Sequence, residues 1–226
     1  MNRFLAAALA ALILASPAAA ERETLLRLSE TAERLVRADE LVALVQAQAM
    51  GGSAASVQEQ LNRKVAGALA RARAVPGVTV ATEGYAIRRV GDRRDQWQAG
   101  QTLRLTAIEA APALIELVGA LQAEGLGVVQ LSYEVSRPVE RREREAVTAE
   151  ALAALKERAE RLGAVLGMTF SGFREVRVDS GRFARPPAPA PMMATTAEPA
   201  RTPPSAEPAD VPIAATVEGD AILKPR

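Results

Sequence analysis

Two guanidinium groups bracketed by two carboxylates, in Gly91-Asp92-Arg93-Arg94-Asp95, make the stretch best suited to hold an anion or a sugar. Trp97 stands two residues beyond it. Arginines in such a cluster can grip a carboxylate or phosphate, and an indole offers a flat apolar face. Turns also collect these residues for conformational reasons, so a solvated hairpin tip is the commoner meaning of the run. For Trp97, packing at a sheet edge or a subunit contact is commoner than a ligand platform. Arg93, Arg94, Asp95 and Trp97 are therefore carried forward as an interaction surface and nothing more. No catalytic, cofactor-binding or metal residue is assigned, and no cofactor is expected. The chain contains no histidine and no cysteine, which removes Ser-His-Asp and Cys-His catalysis and the zinc signatures. Neither calcium-spaced aspartates nor a glycine-rich phosphate loop is present. An enzyme working through carboxylates stays open only as a minor alternative.

The second charged stretch, Ser136 to Gly167, opens with "SRPVERRERE". Its signs are interleaved at helical spacing: Glu140 with Arg144, Arg141 with Glu145, Lys156 with Glu160, Glu157 with Arg161. Exposed pairs of this kind contribute about 0.2–0.5 kcal/mol each and largely cancel at a distance. A phosphate-binding patch would want the arginines without the glutamates, so this is read as the wet side of a long helix. Its other side, Leu152, Leu155, Ala159, Leu162 and Leu166, spans too few heptads for a coiled coil and is expected to pack on the chain's own sheet.

Composition narrows the setting. Arg3, an apolar run from Phe4 to Ala15, and Ser16-Pro17-Ala18-Ala19-Ala20 form a leader pattern, so residues 1–20 are expected to be a signal peptide cleaved after Ala20. The run is too short to span a bilayer, and no other long apolar stretch follows it. An exported, cysteine-free chain fits a bacterial periplasm, with no integral membrane segment after cleavage. Net charge is +1, and without Arg3 the acidic and basic residues balance. No field then draws the protein onto nucleic acid, and a single tryptophan argues against a base-stacking platform.

The elements that must position these residues follow from periodicity. Thr24–Gln48 alternates at Leu26, Leu28 and at Leu41, Ala43, Val45, which predicts two strands with a bend near Ser29–Glu33. After Gly51-Gly52-Ser53, the residues Val57, Leu61, Val65 and Leu69 predict a helix over 54–74. Val78–Val90, with a bulge at Gly84, and Trp97–Ala107 predict a hairpin. A helix over 106–124 follows, with Ile108, Leu114, Ile115, Leu117, Val118 and Leu121 inward. A strand with Val129, Leu131, Tyr133 and Val135 on one side comes next. The long helix and a strand over 168–179 complete the folded part. The fold class is thus α+β, a mixed or antiparallel sheet with about three packed helices in the order β-β-α-β-β-α-β-α-β. Residues 181–209 are rich in Pro and Ala and read as a linker after a domain over 21–180. In 210–226 Val211, Ile213, Ala215 and Val217 alternate again, which reads as a closing strand of the same domain. A tail without structure is the other reading.

The segments "RADELVALVQAQA", "ATEGYAIRRV", "WQAGQTLRLT" and "LVGALQAEGLGVVQLSYEVS", and above all "EALAALKERAERLGAVLG" leading into "FREVRV", resemble the SIMPL domain, also called DUF541. "VPIAATV" is similar to that family's closing strand. The family usually has Pro-Asp where this chain has Ala38-Asp39, and glycines near Ser29–Ala32 where it has none. The resemblance implies a periplasmic or secreted α+β protein without an established catalytic site. It also implies links to oxidative-stress defence and to self-assembly, so a homo-oligomer is expected. Two functions remain: a non-catalytic, oligomeric envelope protein, or a binding module for a peptide or envelope glycan that uses a sheet edge.

Overall fold

A computed structural model of the chain describes residues 23–90, 96–179 and 206–226. The leader read over 1–20, the hairpin tip Gly91–Asp95 and most of the linker, 181–205, lie outside the described residues.

β1 (Thr24–Arg37) and β2 (Glu40–Gly51) are each unbroken. The bend expected at Ser29–Glu33 is absent, and the chain turns instead at Ala38-Asp39. The reason is pairing. β1 runs antiparallel to the C-terminal strand β7 (Asp210–Pro225) in one continuous register, from Thr24 opposite Leu223 to Arg37 opposite Asp210. Polar Ser29-Glu30-Thr31 sits on a strand whose outward groups reach water, so polarity there does not mark a turn.

Two antiparallel sheets result. One has the order β1-β7-β6, with β6 spanning Met168–Asp179. The other has the order β3-β4-β2-β5, with β3 at Thr79–Arg89, β4 at Trp97–Ala107 and β5 at Gly127–Glu134. The closing strand is present and central: in β7 the side chains of Ile213, Ala215, Val217, Ala221 and Leu223 are all buried.

Each sheet presses one face on helix. α1 (Ala54–Arg73) is capped by the Ser53 hydroxyl, which accepts from the Ser56 N–H at 3.2 Å. It buries Val57, Leu61, Val65, Ala68 and Ala72 against Leu41, Ala43, Val45, Leu103 and Leu105. α2 (Ala111–Ala123) adds Leu114, Leu117, Val118 and Leu121. Fully buried aliphatic side chains of this kind each stabilise by about 1.5–3 kcal/mol. α2 starts later than its apolar pattern suggests. Thr106 is held in the ladder opposite Val42 and Thr79, and Pro112 in the first turn sets the start. Ile108, expected inward, is half exposed.

α3 (Arg137–Val165) covers the other sheet through Val147, Ala151, Leu155, Ala159 and Gly163, one residue in four. Leu152 and Leu162 flank this row, whereas Leu166 is exposed beyond the last turn. Gly167, at φ 69°, supplies the left-handed residue that ends the helix. In β5 Val129 also departs from expectation. Leu44 faces Gln130 while Val45 faces Val128, so Val129 is the extra residue of a bulge and turns outward. Among the described residues no helix is long and apolar enough to cross a membrane.

Candidate functional site

Trp97 opens β4, in register with Gly51 on one side and Arg89 on the other. Its ring packs half buried on the larger core, and the Arg89 guanidinium carbon lies 4.8 Å from the ring centroid. Stacking of this kind holds the hairpin and occupies the face a ligand would need. Of the four residues singled out above, Arg93, Arg94 and Asp95 lie outside the described residues, and the structure places Trp97 in packing.

The charges that the structure does bring together lie elsewhere. Arg34 of β1 points at α3 and holds Glu143 at 2.7 Å and Glu150. Arg158 of α3 returns to β1, reaching Glu30 at 2.7 Å and the Ser29 carbonyl at 3.3 Å. The Arg34 guanidinium, then Arg142, hold the Glu143 carboxyl below the usual carboxylate range. Three of the intrahelical pairs also form: Glu140–Arg144, Lys156–Glu160 and Glu157–Arg161. The helix is therefore wet on one side only, and part of its charge clamps it to β1.

On the face of the three-stranded sheet away from α3, Arg27 donates to Asp220 at 2.8 Å and Arg177 donates to Glu175 at 2.6 Å. Glu218 joins them around a shallow depression. The Arg27 hydrogen bond draws the Asp220 carboxyl down. A general acid or base at neutral pH needs a carboxylate pushed up. Glu143 and Asp220 both move the other way, so they serve as lasting negative partners for arginine. The polar face of the second sheet carries a chain of amides. Gln48 donates to Gln46 at 2.6 Å, Gln98 to Gln48 at 3.4 Å, and Arg88 to Gln98 at 3.1 Å.

One polar contact ties the two sheets. Asp39, in the turn between β1 and β2, accepts from the Ser136 N–H and the Ser136 hydroxyl, both at 2.7 Å. Ser136 is the N-cap of α3 and is 2% exposed. The Asp39 N–H donates to the Glu134 carbonyl and the Ala38 N–H to the Ala209 carbonyl, each at 3.0 Å. A carboxylate at the start of a 29-residue helix also meets the positive end of its dipole. Ser136 ahead of Arg137-Pro138 is a helix-start signal in the sequence; its partner Asp39, ninety-seven positions away, is not.

Strand edges are the last feature. Among the described residues β3, β5 and β6 are edge strands, and each carries a bulge or register shift: at Gly84 (φ 50°), at Val129, and at Ser171 and Arg174. β1 is the fourth edge and has none over 14 residues.

The family model SIMPL, described as a protein of unknown function (DUF541), matches residues 26–220, from β1 into β7. No curated protein matches the chain. A match over that length takes in the three described helices, strands of both sheets and the closing strand as far as Asp220, and the chain belongs to the SIMPL family.

Proposed function

We propose that the chain is an exported, non-catalytic protein of the bacterial periplasm that acts by assembling with copies of itself in envelope or oxidative-stress physiology. The observation that carries the assembly part is the four edge strands that the two open sheets offer among the described residues. Each is a row of backbone donors and acceptors able to accept another strand. The arginine and carboxylate groups support the same reading, because they are spent on each other as ion pairs. Export rests on the leader pattern of residues 1–20, and the physiological setting on the family resemblance. Two measurements test the proposal. Mass spectrometry of the protein recovered from a periplasmic extract should show a chain beginning at Glu21. Light scattering should show a mass of at least twice the chain, and a strict monomer at high concentration would remove the assembly part.

A further inference from the structure

We propose that two copies of the chain pair through β1, antiparallel, about a two-fold axis at Glu30, so that two three-stranded sheets become one of six strands. This rests on the self-assembly reading and names the surface that performs it. Bulges re-aim a strand and interrupt the row of groups that a new strand must meet, and they are a known protection of exposed edges. Among the described residues β3, β5 and β6 carry that protection and β1 does not.

The sequence of β1 is also its own complement. On the face away from α3 it reads Leu25, Arg27, Ser29, Thr31, Glu33, Leu35. Turned about Glu30, Leu25 meets Leu35 of the partner subunit, Arg27 meets Glu33 of the partner subunit while its Nε stays on Asp220 of its own chain, and Ser29 meets Thr31 of the partner subunit. Apolar, opposite-charge and hydroxyl pairs are the cross-strand combinations that stabilise a sheet. Leu25 and Leu35 are 44% and 65% exposed in the single chain, and this register sets them against each other twice. Other registers lose the match. Advancing by two residues puts Arg27 opposite Leu35 and Leu25 opposite Arg37; advancing by four sets Arg27 against Arg37. Moving back by two leaves Leu25 facing Glu33.

On the α3 side Leu28 meets Ala32, Leu26 meets Arg34 of the partner subunit, whose guanidinium stays on its own Glu143 and Glu150, and Glu30 meets its own copy at the axis. Each Glu30 keeps its Arg158 partner at 2.7 Å, so two guanidinium groups offset the two carboxylates. The Ser29 carbonyl, which takes a long 3.3 Å bond from Arg158, retains a second lone pair for the incoming strand.

The chain has no cysteine, so introduced thiols can report the register alone. Leu25→Cys protein and Leu35→Cys protein are prepared separately, mixed and mildly oxidised. Facing residues of antiparallel strands lie about 4.5–5.5 Å apart at Cα, within disulfide range. Two copies of Cys at position 25 would lie ten residues apart along the strands, about 33 Å. The expected result is a disulfide dimer from the mixture and none from either variant alone. Glu33 makes no ion pair among the described residues, so Glu33→Arg should leave the fold intact while weakening dimerisation roughly tenfold through two like-charge contacts. Cross-linking of either variant alone overturns the register. No cross-link in the mixture, from a protein that light scattering shows to be oligomeric, overturns the β1 interface and leaves self-assembly standing on another edge. A monomer at all concentrations overturns both, whereas β1 binding extended peptides in place of a second copy overturns the β1 interface alone.

Discussion

Replacing Asp39 by alanine should cost this fold about 3 kcal/mol. Two hydrogen bonds to an ionised acceptor are lost, each worth about 1.5–3 kcal/mol when water cannot replace them. Ser136 is buried, so its N–H and hydroxyl would be left short of partners. Asp39 itself is only partly buried, and water entering the vacated space recovers part of the loss, which keeps the estimate near the lower end. Asp39→Asn should cost about 1 kcal/mol. Its amide oxygen accepts from the Ser136 N–H and its NH₂ donates to the turned hydroxyl, so only the charge facing the helix dipole goes. Ser136→Ala keeps the backbone bond and should also cost about 1 kcal/mol. Urea unfolding with an unchanged m-value is the assay. For a folded unit of roughly 150–250 residues, Asp39→Ala should lower Tm by about 6–12 °C. The double variant Asp39→Ala/Ser136→Ala should cost clearly less than the sum of the singles. A loss below about 1 kcal/mol for Asp39→Ala, or strict additivity, would refute the joint proposed here.

Three further outcomes follow from the packing and the charges. Glu143 has its pKa lowered in the fold by Arg34 and then Arg142; a depressed carboxylate contributes stability that is present above its unfolded pKa, about 4.3, and lost as pH falls through the folded value. Glu143→Gln should therefore destabilise at pH 7 but much less near pH 3, with the difference shrinking in high salt, as chemical denaturation at both pH values will read. Gly219→Ala should cost about 1–3 kcal/mol, because its Cβ would come within 3.0 Å of both Leu155 Cδ2 and Phe173 Cδ1; a neutral Tm change would mean α3 and β6 yield more easily than their packing implies. Trp97→Ala should lose about 2 kcal/mol of stability from packing and the Arg89 stack while leaving the mass by light scattering unchanged, since the ring is engaged within its own hairpin.

Much of the architecture was legible because the two periods, two and about four, appear where the elements are. α1 shows its inner face as Val57, Leu61 and Val65, and β7 shows alternation at Val211, Ile213, Ala215 and Val217 despite following a proline-rich stretch. The division into two sheets was not legible, because partner choice between strands is set by contacts far apart in the chain, such as Leu25 with Ile222. Bulges were only half legible. Gly84 announces itself by residue type, whereas Val129 looks like a core valine and is displaced by a register shift that no local feature encodes. The charged clusters mislead for a related reason. Interleaved signs on α3 look self-sufficient at helical spacing, and only the approach of β1 supplies Arg34 as the better partner for Glu143.

The topology also explains how the fold tolerates the composition of its longest connection. β6 ends at Asp179, opposite Thr216, and β7 begins at Asp210, six residues along the same antiparallel pair. The chain between them thus needs to span only about 20 Å at strand rise, while residues 180–209 provide many times that length. Doubling a loop that already closes costs only about 0.6 kcal/mol, so the part of this connection ahead of Ala206 can vary in length and sequence with little effect on the sheet, whereas Ala206 packs on the larger core and the Ala209 carbonyl holds the Ala38 N–H. The closing strand cannot vary in the same way. It pairs with β1 over 14 residues and carries the face that α3 covers. Without it β1 and β6 would have no partner, and the edge with the unbroken register would not exist.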